Sequence, residues 1–292
     1  MRSQAGTGRA QPGTRAGCAS WGWILPSSTM RIALSIAASD PTGGAGLQAD
    51  LQVFRKLGVH GAGVVSALTI QDSKKVHSIL PVFPSVVLEQ LRTLLSDIRP
   101  QAIKIGALGS DDVVRNVTLG LGDLAREVPV VLDPILFSSS GAPLLERRAW
   151  AALQALCGTC ELVTPNLPEA EALSGRDVSR RAGVEDAARF FVEDLGAGAV
   201  LVKGGHQSEA GVADLLAVPD AQGALDFHWL ESERIEIESV HGTGCALSSA
   251  ITAHLAMGAS LPEAVASARA FVAAAIEAAR RPGDGAHFLV YS

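Results

Sequence analysis

From Arg31 onward, short and almost wholly apolar runs alternate with longer stretches whose apolar residues recur at helical spacing. The runs are "RIALSIA" (31–37), "AGVVSALTI" (62–70), "AIKIGAL" (102–108), "VPVVLDP" (128–134), "CELVTPN" (160–166) and "AVLVKGG" (199–205). Runs of this length without polar alternation fit strands covered on both faces. Between them the spacing predicts helices over 47–58, 84–98, 144–157, 167–175 and 184–196, and two more over 245–258 and 261–280. Leu47, Leu51, Phe54 and Leu57 share one helical face in the first, and Val87, Leu91, Leu94 and Leu95 in the second. The alternation predicts an α/β fold: a central, mainly parallel sheet with helices on both faces. The polar stretch 206–234 reads as a hairpin or loop excursion, and "RIEIESV" (234–240) alternates as a strand would.

Composition narrows the chemistry. Of 292 residues 48% are hydrophobic and 18% charged, enough for a substantial core. A net charge of −6 argues against nucleic acid or an anionic membrane as the main partner, and no run reaches the roughly 18 apolar residues of a membrane span. A small anionic substrate stays open, because glycine loops and lysines bind phosphate locally. Four cysteines, Cys18, Cys157, Cys160 and Cys245, make no disulfide framework. The Cys157/Cys160 pair has CxxC spacing but no second pair to complete a zinc site, so packed thiols are expected. Residues 1–29 contain three arginines and no acid. They fit a disordered tail or a start assigned too early, with a single domain over 30–292.

Ligands of open α/β sheets bind outside the carboxyl ends of the strands. The residues there are Asp40-Pro-Thr-Gly-Gly-Ala-Gly, Gln71-Asp72, Lys104, Asp133-Pro134, Asn166-x-x-Glu169, Lys203-Gly-Gly-His206 and His241-Gly-Thr-Gly-Cys245. Gly242 and Gly244 can turn backbone N–H groups toward one point at a helix start, an anion hole. The same field is expected to lower the pKa of Cys245, as base or nucleophile. A tight turn with a small buried thiol explains the motif equally well. Lys203 can neutralise a transferring phosphate. Asn166 and Glu169 read either as a helix cap or, with Asp133, as a Mg²⁺ site. Gly43 to Gly46 is neither GxGxxG nor a P-loop, so it fits a close backbone approach to a small ligand, with Asp50 pointing toward it.

Together "IAASDPTGGAGLQADLQVF", "SALTIQDS", "KIGAL", "VLDPILFSSSG", "LVTPNLPEAEAL", "VLVKGGH" and "HGTGCALSSAI" resemble the ribokinase superfamily. Within it they resemble the hydroxymethylpyrimidine/phosphomethylpyrimidine kinases of thiamine biosynthesis. The resemblance implies a ribokinase-like fold and a cytoplasmic enzyme, possessing ATP as co-substrate and Mg²⁺ as cofactor. It implies transfer of the γ-phosphoryl group to a hydroxymethylpyrimidine, then to its monophosphate, and a homodimer. By position, Cys245, Lys203, Gly242 and Gly244 would carry the transfer. Ala45, Asp50, Gln71, Ala107 and Ile135 would bind the pyrimidine. Asn166, Lys203 and Thr243 would bind ATP, and Glu169 with Asp133 the metal. Ala107 departs from the family, which often has methionine there, and Ile70-Gln71-Asp72-Ser73 stands where Ala-Gln-Asn-Thr is common. Two readings stay beside this one: a vitamin B6 kinase of the same superfamily, and a non-catalytic pyrimidine sensor.

Overall fold

The structure is a computed structural model that describes Met1, residues 30–204 and residues 212–291. The expected tail over 1–29, Gly205 and His206 therefore lie outside the described residues, apart from Met1. In chain order the first elements are β1 (Ile32–Ser39), α1 (Gly46–Lys56), β2 (His60–Gln71), β3 (Val76–Pro81), α2 (Pro84–Asp97), β4 (Ala102–Ile105), α3 (Asp111–Leu121), α4 (Leu124–Glu127) and β5 (Val130–Leu132). They continue with α5 (Trp150–Cys157), β6 (Leu162–Val163), α6 (Leu167–Ser174), α7 (Arg181–Arg189), β7 (Val200–Val202), β8 (Val212–Pro219) and β9 (Leu225–Ser232). β10 (Val240–His241), α8 (Thr243–Ala256), α9 (Leu261–Glu277) and β11 (His287–Phe288) complete the set.

Nine strands form one sheet in the order β3-β2-β1-β4-β5-β6-β7-β8-β9. The six central strands are parallel, and antiparallel pairs close both ends: β2 with β3, and β7 with β8 and β9. The expected parallel sheet is present, and the described part of the polar stretch holds the hairpin β8–β9. The strand order reverses between β1 and β4, so the crevice at their carboxyl ends is the natural ligand position.

The two faces of the sheet bury different partners. Leu34, Ile36, Ile103, Ile105, Val130, Leu132, Val163, Val200 and Val202 join the core made with α2, α3, α5, α6 and α7. Val131, Leu162 and Leu201 join the core made with α8 and α9. Each aliphatic side chain enclosed this way contributes roughly 1.5–3 kcal/mol. Side chains alternate along a strand, so Asp133, two after Val131, and Lys203, two after Leu201, lie on the α8 side. Lys104, between Ile103 and Ile105, faces the same way. The pleat thus delivers three charged residues toward the start of one helix.

Several sequence expectations are corrected. Residues 234–239 are irregular: Ile237 bonds back to Ile235 across a tight turn, and only Val240–His241 are strand. The helix expected from 144 begins at Arg147 as a single 3-10 turn, because Leu144 and Leu145 bond to the Leu136 carbonyl. The helix expected over 184–196 starts earlier and ends in a π turn at Phe190–Asp194. Cys157 and Cys160 are packed thiols, both buried, with burial pushing Cys157 up to about 12. Among the described residues no helix is long and apolar enough to cross a membrane.

Candidate active site

The turn that opens α8 begins at Gly242, which caps the helix in the left-handed conformation (φ +85°). Only glycine suits it, since a Cβ there would fall 1.9 Å from the Gly44 carbonyl oxygen. The first intrahelical bond runs from the Ala246 amide to the Gly242 carbonyl. The amides of Thr243, Gly244 and Cys245 precede it and have no partner within the helix. A Cβ on Gly244 would lie 3.2 Å from Lys203 Nζ and 3.5 Å from Asp133 Oδ2. The glycine turn, the lysine and the carboxylate therefore meet at one point.

Lys203 donates to Asp133 Oδ1 at 2.7 Å, and Thr164 Oγ1 donates to the same oxygen at 3.2 Å. Burial works against the Lys203 charge, but Asp133 and Glu169 overcome it and hold the pKa above the usual lysine range. Asn166 and Glu169 form a reciprocal cap at the start of α6, with bonds of 2.8 and 2.9 Å, so the capping reading is correct. The metal reading is not displaced by it. Glu169 is buried, and its carboxyl is pushed up to about 7, first by burial and then by Asp133, against the pull of Lys203. Two carboxylates share one ammonium, an excess of negative charge that suits a divalent cation.

Cys245 corrects the expected thiolate. The thiol is buried and pushed up to about 11: burial dominates, Asp50 and Asp133 add to it, and Lys104 and a bond from the Gly46 amide oppose it. The helix start does not outweigh enclosure beside two carboxylates.

Asp50, expected among the ring-binding residues, belongs to a buried polar cluster. It is fully enclosed, accepting bonds from Ser35 Oγ (2.6 Å), Ser249 Oγ (2.7 Å) and Lys104 Nζ (2.7 and 2.8 Å). Ala107 and Ile135 gather with Ala38, Ala67 and Ile79 in a small apolar cluster. Ala45 and Gln71 meet at Asp40, which the sequence reading left without a role. Asp40 accepts from the Thr42 amide (2.8 Å) and hydroxyl (2.7 Å), the Ala45 amide (2.8 Å) and His241 Nε2 (3.0 Å). Against the burial penalty, those bonds and one from Gln71 hold it down at about 2. An Asp just after a strand and before Pro-Thr-Gly-Gly is a turn-closing signal, and it was available. Among the described residues no trio of His, Cys, Asp and Glu could hold a metal ion unaided.

A family model described as phosphomethylpyrimidine kinase matches residues 40–290. A hydroxymethylpyrimidine/phosphomethylpyrimidine kinase of Staphylococcus aureus is 37% identical over 257 residues, 87% of this chain and 91% of that protein. Among solved structures, the ADP complex of Bacillus subtilis pyridoxal kinase superposes with a TM-score of 0.80 at 30% identity, covering 90% of this chain and 98% of the other. A phosphomethylpyrimidine kinase of Clostridium difficile 630 superposes with a TM-score of 0.71 at 31% identity, covering 84% and 99%.

Proposed function

The chain belongs to the phosphomethylpyrimidine kinase family, and from that premise we propose how its own residues carry the reaction. It is an ATP-dependent phosphotransferase of thiamine biosynthesis, acting on 4-amino-5-hydroxymethyl-2-methylpyrimidine and its monophosphate. The observation supporting the residue roles is the meeting of Lys203, Asp133 and the Gly242–Cys245 turn.

Phosphoryl transfer through a loose transition state needs positioning and charge neutralisation more than strong base. The amides of the Gly242–Gly244 turn and Lys203 would hold the γ-phosphoryl oxygens, with Thr243 and Asn166 toward the nucleotide. Asp133 and Glu169 fit Mg²⁺, which would bring its own waters and offset phosphate charge. A thiol held near 11 is neutral at physiological pH. Cys245 would therefore orient the substrate hydroxyl by hydrogen bonding; as the O–P bond forms and the P–O bond to ADP breaks, the hydroxyl proton would pass late to an oxygen of the transferred phosphoryl group. Ala45, Gln71, Ala107 and Ile135 would surround the ring, with the Gln71 amide offering donor and acceptor to its edge. Asp50 would act from beneath by holding Lys104. The reading includes a single kinase domain over 30–292, a homodimer and a cytoplasmic location, which come from the family likeness.

The test is a coupled ATP assay on the hydroxymethylpyrimidine, its phosphate and pyridoxal. The pyrimidines should have the higher kcat/KM. Ala107 favours one second reading, a vitamin B6 kinase, since a small side chain there widens the apolar wall. A pyridoxal kcat/KM above that of both pyrimidines would establish it. Tight pyrimidine binding without turnover would instead make the chain a sensor.

A further inference from the structure

Three segments far apart in sequence meet beside the catalytic turn: the loop 40–46, the turn at 239–244 and the segment 285–288. Asp40 Oδ2 accepts from both the Ala45 amide and His241 Nε2, at 2.8 and 3.0 Å, so one carboxylate oxygen ties the first segment to the second. The Gly44 backbone lies directly against two rings. A Cβ on Gly44 would lie 2.7 Å from His241 Cδ2 and 2.9 Å from the Phe288 ring. On its other side the Gly44 carbonyl meets Gly242.

The third segment fixes the other two. β11 pairs with β10 in parallel, Val240 opposite His287 and His241 opposite Phe288. The His287 amide donates to the Ser239 carbonyl at 2.9 Å. Ser239 itself is left-handed (φ +39°), a conformation a serine keeps only when its surroundings impose it. At its other end the segment grips the tip of the β2–β3 hairpin. The Ala286 amide donates to the Ser73 carbonyl at 2.8 Å and the Gly285 amide to Ser73 Oγ at 3.2 Å. Ser73 stands two residues beyond Gln71, whose side chain lies beside Asp40. Residues 285–288 therefore run from the ring-reading hairpin to the residue before the anion hole.

We propose that His241 is a positioning residue for the pyrimidine, held between Asp40 and Phe288 so that the ring-binding loop keeps a fixed distance from the phosphate-binding turn. This rests on the kinase reading above. A displacement of about 1 Å between substrate and reacting group costs on the order of a hundredfold in rate, so such a brace is worth building.

The experiment compares wild type with His241→Ala, His241→Gln and Phe288→Leu. Calorimetry measures affinity for the hydroxymethylpyrimidine and, separately, for AMP-PCP, and steady-state kinetics run alongside. His241→Ala should weaken ring binding and raise its KM by about tenfold, the loss of one hydrogen bond to a charged group, with AMP-PCP affinity changed less than twofold. His241→Gln keeps an N–H donor and should recover most of the loss; Phe288→Leu should fall between. Ring affinity of His241→Ala within twofold of wild type, equal weakening of both ligands, or no recovery in His241→Gln would each overturn the proposal. If His241→Ala does not fold by its melting curve, Phe288→Leu decides on the same ratio. A wild type that binds the ring without phosphorylating it would sink the kinase reading, while the affinities still judge His241. A wild type that binds no ring would sink both.

Discussion

Two lysines near the carboxyl ends of parallel strands lie on the same face of the sheet, each bonded to an aspartate at about the same distance, yet one is sealed and the other partly open. Lys104 and Asp50 are sealed, with 0% exposure on both side chains, and two serines complete the carboxylate. Lys203 and Asp133 retain 15% and 2% exposure and sit against a glycine turn and a second carboxylate. The first pair has its charges balanced and its hydrogen bonds met, so it has nothing left to offer a ligand. The second has an excess of negative charge and a lysine with an open side. Burial and pairing alone do not mark a site; an unfinished balance of charge next to open backbone donors does.

Four measurements would break or sharpen that contrast. Lys203→Met should lower kcat by about 10³-fold or more, since it removes a preorganised charge from the transferring group, while melting shifts by only a few degrees. Lys104→Met should instead strike stability, by about 3–5 kcal/mol in denaturant unfolding, because Asp50 would be left buried and unpaired. The double change with Asp50→Asn should return part of that. A Lys104→Met protein of normal stability with kcat reduced as far as Lys203→Met would erase the distinction between the pairs. Next in size, Cys245 should react with iodoacetamide at pH 7.5 about a hundredfold more slowly than free cysteine, since so little thiolate is present near a pKa of about 11. Fast labelling would place the thiol outside this electrostatic balance. The smallest effect is on stability against pH. Glu169 is raised from 4.5 to about 7, so the folded state holds its proton more tightly than the unfolded chain. Stability should therefore fall as pH rises from about 4.5 to 7 and level off above, and Glu169→Gln should remove that slope.

Much of this was legible before the structure. Continuous apolar runs gave away the doubly covered sheet, and the residues after each run supplied Lys203, Asp133, Glu169 and Cys245. What escaped did so for physical reasons. β3 is an exposed edge strand whose mixed pattern carries little burial signal. α3 did carry one: Ser110 caps it, and Val113, Val114, Val117 and Leu121 are its buried face, yet it follows so soon after β4 that it reads as loop. The alternation at Ile235 and Ile237 suggested a strand, but among the described residues no neighbouring strand pairs with it. The direction of the Cys245 shift depends on Asp50 and Asp133 reaching it from other elements, which spacing along the chain cannot express. Asp40 and His241 are 201 residues apart, so their bond has no local trace.

That separation has a kinetic consequence. The loop after β1 is among the first parts of the domain to leave the ribosome, yet its bracing partners at 241 and 285–288 arrive some two hundred residues later. Contacts of such long range are closed late, after their entropic cost has been met by the rest of the chain. A nascent chain halted before β10 could assemble the central strands and still present a slack, unformed pocket. Chaperone demand and sensitivity to translational pausing should therefore concentrate on this junction rather than on the sheet.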